Sequence, residues 1–129
     1  MENHFLIGLG GTGGRVLAAF RKLMFERFGD VKPKDIWIDY LYMDSSKQDL
    51  EMKDPAQWSI MGKDISLSAD SVVAIPAANL GSYVENSSRY KYLSPWIGNT
   101  SDWSNIINDP KIEQGAAGQK RRLGRLLFA

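Results

Sequence analysis

The sequence predicts an α/β fold: a mostly parallel sheet sandwiched between helices in three layers. Three observations carry this. Residues 5–16, FLIGLGGTGGRV, run from an apolar stretch through a glycine cluster into an amphipathic stretch. Residues 36–43, IWIDYLYM, form a second strand-like run. The segment between the two is long enough and periodic enough for a crossover helix, which parallel strands require.

The elements follow in order. Residues 4–9 (HFLIGL) are short and apolar enough for a buried strand. Thr12 is placed to cap a helix through its hydroxyl. Val16, Leu17, Phe20, Leu23, Met24 and Phe28 recur at steps of three and four, which predicts one helical face packed on the sheet. Arg15, Arg21, Lys22 and Arg27 fall mostly off that face. Gly29 suits a left-handed helix cap, and DVKPKD (residues 30–35) is a polar turn. Branched and aromatic residues make 36–43 an extended, packed strand that ends at Asp44. Strand, glycine turn, helix and strand make a βαβ unit, with parallel strands and a right-handed crossover. This is a Rossmann-like arrangement.

The middle, residues 45–110, carries weaker patterns. DPAQW and the Met61–Gly62 pair read as loop and short helix. DSVVAIP (70–76) holds a short strand. Residues 77–93 read as helical, with Gly81 against it. Residues 94–109 read as irregular chain with one helical turn. The last six residues, GRLLFA, stop inside a growing helix with no stop signal before Ala129. That predicts that residues 1–129 are one N-terminal part of a longer protein, the alternative being a C-terminal helix that frays.

Composition narrows the function. With 43% hydrophobic residues the chain can build a core and is not disordered. A net charge of +1 gives no field that favours nucleic acid or an anionic membrane as partner. There is no cysteine, hence no disulfide framework and no thiolate metal site. No run approaches the roughly 20 apolar residues of a membrane helix, and the N-terminus has no basic leader. A cytoplasmic location is expected. His4 is the sole histidine, has no partner acid placed by sequence and reads as structural, and no G-x-S-x-G marks a nucleophilic serine. Trp58, Trp96, Trp103, Tyr83, Tyr90 and Tyr92 read as core or interface, and exposed members would drive self-association.

Gly8, Gly10 and Gly13 satisfy G-x-G-x-x-G after a strand and before a helix. Residues without a β-carbon let the main chain turn tightly and approach an anion, toward which the unpaired first N–H groups of a helix point. No lysine follows at Walker spacing. The alternative is a turn whose glycines serve close helix–sheet packing. Five glycines within the seven positions 8–14 favour the anion reading, since each costs unfolded-chain entropy. Asp44 allows several roles: an acceptor for a dinucleotide ribose, a group near any nucleotide, or a turn cap with Ser45 and Ser46. Farther on, GAAGQKRRLGR (115–125) has small residues, three bases and a glycine opening a helix. Main chain of this kind wraps a terminal phosphate.

In these two loops the sequence resembles the tubulin/FtsZ superfamily of GTP-binding, filament-forming proteins, and most of all its divergent bacterial tubulin-like members. GLGGTGG (8–14) resembles the first nucleotide loop of the family, and AAGQKRRLGR (116–125) its γ-phosphate loop. The resemblance implies that Gly10, Gly11, Thr12, Gly13 and Gly14 bind the α- and β-phosphates, with Arg15 next to them. It implies that Ala117, Gly118 and Gln119 line the γ-phosphate and that Asp44 lies near the metal or phosphates. GTP or GDP with Mg²⁺ would be the ligand, and self-association into filaments the activity of the full-length form. Arg15 stands where the family has a guanine-reading asparagine, Ala116 replaces a glycine, and KRR replaces an acidic, proline-containing stretch. The glycine–threonine signature loop and the water-activating residues are absent from these 129 residues, so no complete hydrolytic site is expected. The competing readings are an NAD(P)- or FAD-binding domain of an oxidoreductase and a non-catalytic interaction module.

Overall fold

A computed structural model describes residues 2–75, 79–107 and 125–126. The chain divides into two compact units, Met1–Ala74 and Ile75–Ala129, each with its own apolar core.

The first unit runs β1 (Asn3–Leu9), α1 (Gly10–Phe28), β2 (Trp37–Asp44), α2 (Lys47–Leu50), α3 (Pro55–Trp58), β3 (Ser59–Ile60), β4 (Lys63–Asp64) and β5 (Val72–Ala74). β1 and β2 pair in parallel from Asn3 opposite Trp37 to Leu9 opposite Met43. β5 joins the other side of β2, also parallel, with Tyr42 opposite Val72. The order β1-β2-β5 is that of an α/β, Rossmann-like sheet. Helix α1 covers the face that carries Leu6, Ile38, Tyr40 and Tyr42, and Leu17, Ala18 and Met24 complete that core. On the opposite face Phe5, Ile7 and Leu9 are exposed, in register with Asp39, Leu41 and Met43.

Both long strands and the αL cap at Gly29, whose N–H donates to the Phe25 carbonyl at 2.8 Å, follow the sequence reading. The start of α1 does not. The helix begins at Gly10, so Thr12 lies inside it and caps nothing; Leu9 is the N-cap and makes no side-chain cap bond. Gly10, at φ 68, absorbs the whole change of direction and admits the chain into the helix early.

The buried face of α1 also differs. It is Gly14, Leu17, Ala18, Arg21 and Met24, again at steps of three and four. Val16 and Leu23, expected to face the sheet, are 61% and 62% exposed, and Phe28 is exposed as well. Small residues decide this, because Gly14 and Ala18 let the helix axis come close along their own stripe. Arg21, expected off the face, is its central polar member. Its Nε donates to the Ile65 carbonyl at 2.6 Å and its Nη2 to the Ser66 carbonyl at 3.2 Å. The guanidinium lies 4.7 Å from the Tyr40 ring centre, and burial lowers its pKa below the usual arginine value.

The short helix expected at DPAQW is α3, and the Met61–Gly62 pair, expected as loop, is the turn of a hairpin over residues 59–64, β3 against β4. Met61 (φ 50) and Gly62 (φ 75) supply the two positive φ angles of a primed turn. The short strand expected within 70–76 is β5.

In the second unit, α4 (Leu80–Glu85), α5 (Ser94–Ile97) and α6 (Ser104–Ile107) alternate with single helical turns at Ser87–Arg89 and Thr100–Trp103. The helix expected over 77–93 is thus confined to six described residues. Leu80, Val84, Leu93, Ile97, Trp103 and Leu126 form the core. The Trp103 indole donates to the Ile97 carbonyl at 2.9 Å, and Trp96 meets Trp103 edge-on at 5.9 Å. Trp58 and Trp103 are core residues as expected, whereas Tyr83 and Tyr92 are exposed.

Candidate functional site

The glycine turn lies at the carboxyl end of β1, the end at which open parallel sheets receive ligands. Its glycines have separate reasons to lack a side chain. A β-carbon on Gly8 would lie 2.6 Å from Leu17 Cδ1 and 2.8 Å from the Gly13 carbonyl oxygen. One on Gly13 would lie 2.6 Å from the Gly8 carbonyl carbon, and one on Gly14 would lie 2.5 Å from the Tyr42 ring and hydroxyl. These three are glycines because strand, helix and Tyr42 cross there in close contact. Gly10 is glycine because of its positive φ and meets nothing. Gly11 is bound by neither constraint: the nearest atom to its missing β-carbon is Asp49 Oδ2, at an ordinary 3.9 Å. Packing, one of the alternatives left open by the sequence, thus accounts for Gly8, Gly13 and Gly14, and backbone conformation for Gly10, while neither accounts for Gly11. Gly14, counted with the phosphate-binding residues, is buried against Tyr42, while Gly11 opens outward.

Gly11 borders a polar cavity of about 300 Å³, shared with Arg15, Tyr42, Asp49, Lys53 and Trp58. Lys53 pairs with Glu51 at 2.7 Å. Arg15 is exposed and, among the described residues, has no carboxylate within ion-pair distance. Thr12 is exposed at the start of α1.

Asp44 takes the turn-capping role. It is 7% exposed; Oδ2 accepts from the Tyr42 hydroxyl at 3.1 Å and Oδ1 from the Ser46 N–H at 3.0 Å. Ser46 in turn caps α2 by accepting the Asp49 N–H. Both carboxylate oxygens of Asp44 are thus engaged inside the β2–α2 turn. The acid beside the bare side of Gly11 is Asp49, which sequence reasoning missed. Its signal was present, since Ser46 and Asp49 have the spacing of a capped first turn, but no pattern tied that turn to the glycines. Among the described residues no group of three or more His, Cys, Asp or Glu side chains could hold a metal ion. Ala117, Gly118 and Gln119 lie outside the described residues, and with them the expected convergence of the two loops.

Burial, and secondarily the charge of Asp44, raise the Tyr42 phenol well above its ordinary value of 10. The neutral phenol therefore favours the folded state. That contribution is complete below about pH 10, the unfolded value, and is lost as pH climbs through the higher folded value. In urea titrations the unfolding midpoint is expected to fall above about pH 10, and Tyr42→Phe should flatten part of that fall. A Tyr42→Phe profile that tracks the parent at every pH would contradict this.

No helix among the described residues is long and apolar enough to cross a membrane. Neither the curated proteins nor the solved structures compared with the chain give a match. A family model described as tubulin like matches residues 5–129. That span takes in all of the βαβ unit but its first two residues, the turn that Gly8 and Gly13 lock, and the second small-residue segment, and it establishes that this chain belongs to the tubulin-like family.

Proposed function

We propose that this chain binds GTP or GDP by its phosphates at the Gly10–Gly11 turn, as a member of a family whose full-length form assembles into filaments with nucleotide. The observation that carries the reading is Gly11, a glycine required by neither conformation nor packing, at an uncapped helix start. Bare main chain there lets phosphate oxygens reach the N–H groups of the first helical turn. Gly10, Thr12 and Gly13 supply the adjacent main chain. Mg²⁺ would draw its ligands mainly from phosphate and water. Hydrolysis is assigned to the assembled form, and a cytoplasmic setting goes with the reading.

Calorimetric titration with GTP, GDP, ATP and NAD tests it. GTP is expected to bind weakly, without turnover. Gly11→Val is expected to weaken it at least about tenfold while stability changes by no more than about 1 kcal/mol. Micromolar affinity for NAD with none for GTP would reverse the assignment in favour of an oxidoreductase domain. The engagement of Asp44 by Tyr42 and Ser46 argues against that outcome, because a dinucleotide ribose needs a free acid at this point. Absence of binding to all four would favour the interaction module.

A further inference from the structure

Asp49 Oδ2 lies 3.9 Å from the place a β-carbon of Gly11 would occupy, at the start of α1. The positive end of α1 attracts a carboxylate there, so the protein carries its own anion at the mouth of the turn. Arg15 lies four residues beyond Gly11 and therefore on the same helical face. Long helical side chains lean back toward the N-terminus, which directs the guanidinium toward the same opening. Both side chains border the one cavity, both are exposed, and among the described residues neither is held by an ion pair.

We infer that Asp49 is a built-in competitor for the anion seat at Gly11 and that Arg15 is the opposing charge, so that the pair sets how strongly the turn prefers a longer phosphate chain. The inference rests on the nucleotide reading above. When Asp49 holds the opening, an incoming phosphate meets a like charge. Once Asp49 swings out, Arg15 remains to face it, and the gain grows with phosphate charge. A group that acts only on base or sugar would not discriminate by phosphate number.

The test is calorimetric titration of GTP, GDP, GMP and pyrophosphate into the full chain, as parent, Asp49→Asn and Arg15→Gln, at low salt. Asp49→Asn is expected to tighten GTP about tenfold and GMP about twofold, and Arg15→Gln to weaken them in the same graded order. The scale is that of one unit-charge pair at about 4 Å in the dielectric of bulk water, roughly five- to tenfold, as suits two exposed side chains. Added salt should compress both effects. If the parent binds GTP and both variants stay within twofold of it, the inference is overturned while the nucleotide reading stands. Shifts in the same direction for both variants, or equal across the ligand series, would likewise overturn it. If the parent binds neither GTP nor pyrophosphate, the nucleotide reading fails and takes the inference with it.

Discussion

Gly13→Ala is expected to destabilise the first unit by about 3 kcal/mol, at the upper end of the cost of forcing a methyl group into a packed site. The added carbon would sit 2.6 Å from the Gly8 carbonyl carbon and 2.8 Å from its Cα. Both are main-chain atoms of β1, so no rotamer change relieves the overlap. Helix α1 must lift off the strand, and Leu17 and Met24 lift with it. The sign is informative, because alanine in a helix interior is ordinarily favoured over glycine by about 0.5–1 kcal/mol. Gly11→Ala, one turn edge away, meets only the far end of Asp49 and should be neutral or slightly stabilising. Urea-unfolding midpoints of the two variants measure the contrast directly. Equal midpoints would mean that strand and helix do not cross as closely as described.

Arg21→Met should cost about 2–3 kcal/mol. Methionine keeps the aliphatic stem and packs against Tyr40, but it donates nothing. The carbonyls of Ile65 and Ser66 then lose a charge-assisted partner, at about 1.5–3 kcal/mol for such bonds, and the contact with the Tyr40 face goes too, at about 0.5–2 kcal/mol. Removing a buried charge returns part of this, which is why the net figure lies below the sum. Ile65 is fully buried and Leu67 nearly so, so water does not easily replace the lost donor. The loss should be local first: limited proteolysis is expected to cut the hairpin region, residues 59–68, well before the βαβ unit. Arg21→Lys should restore only a fraction, because an ammonium cannot fork to two carbonyls and stack on a ring at once. A cleavage pattern unchanged in Arg21→Met would remove the argument.

The βαβ unit was legible because its signals are strong and local. An apolar run, a glycine cluster, a periodic segment, the Gly29 cap and a branched–aromatic run each name one element, and the parallel pairing follows from their order. The buried side of α1 was less legible, since counting apolar letters overlooks Gly14 and Ala18, whose small size draws the sheet close. Arg21 was misread for the related reason that its partners are main-chain carbonyls of Ile65 and Ser66, distant in sequence and invisible to any local pattern. The Met61–Gly62 hairpin was obscured because a non-glycine residue occupies one of its two positive φ positions. At the site, the glycine cluster was legible as the junction of β1 and α1. Only atomic distances separate Gly11, which is open, from Gly8, Gly13 and Gly14, which are filled by their neighbours. Asp49 beside Gly11 went unnoticed, and position at a strand end does not reveal that Tyr42 and Ser46 already engage both oxygens of Asp44.

The mutual approach of Gly8 and Gly13 has a consequence for how this segment can vary over descent. Every glycine codon is one base change from an alanine codon, so alanine is among the commonest errors that replication offers at these positions. Here the mildest replacement is also an obstructed one, and no compensating change at Gly8 can relieve it, because that residue has no side chain left to shorten. A lineage can therefore remodel Gly11 and the residues around it step by step, tuning what the turn accepts, while the crossing beneath stays fixed or is lost outright.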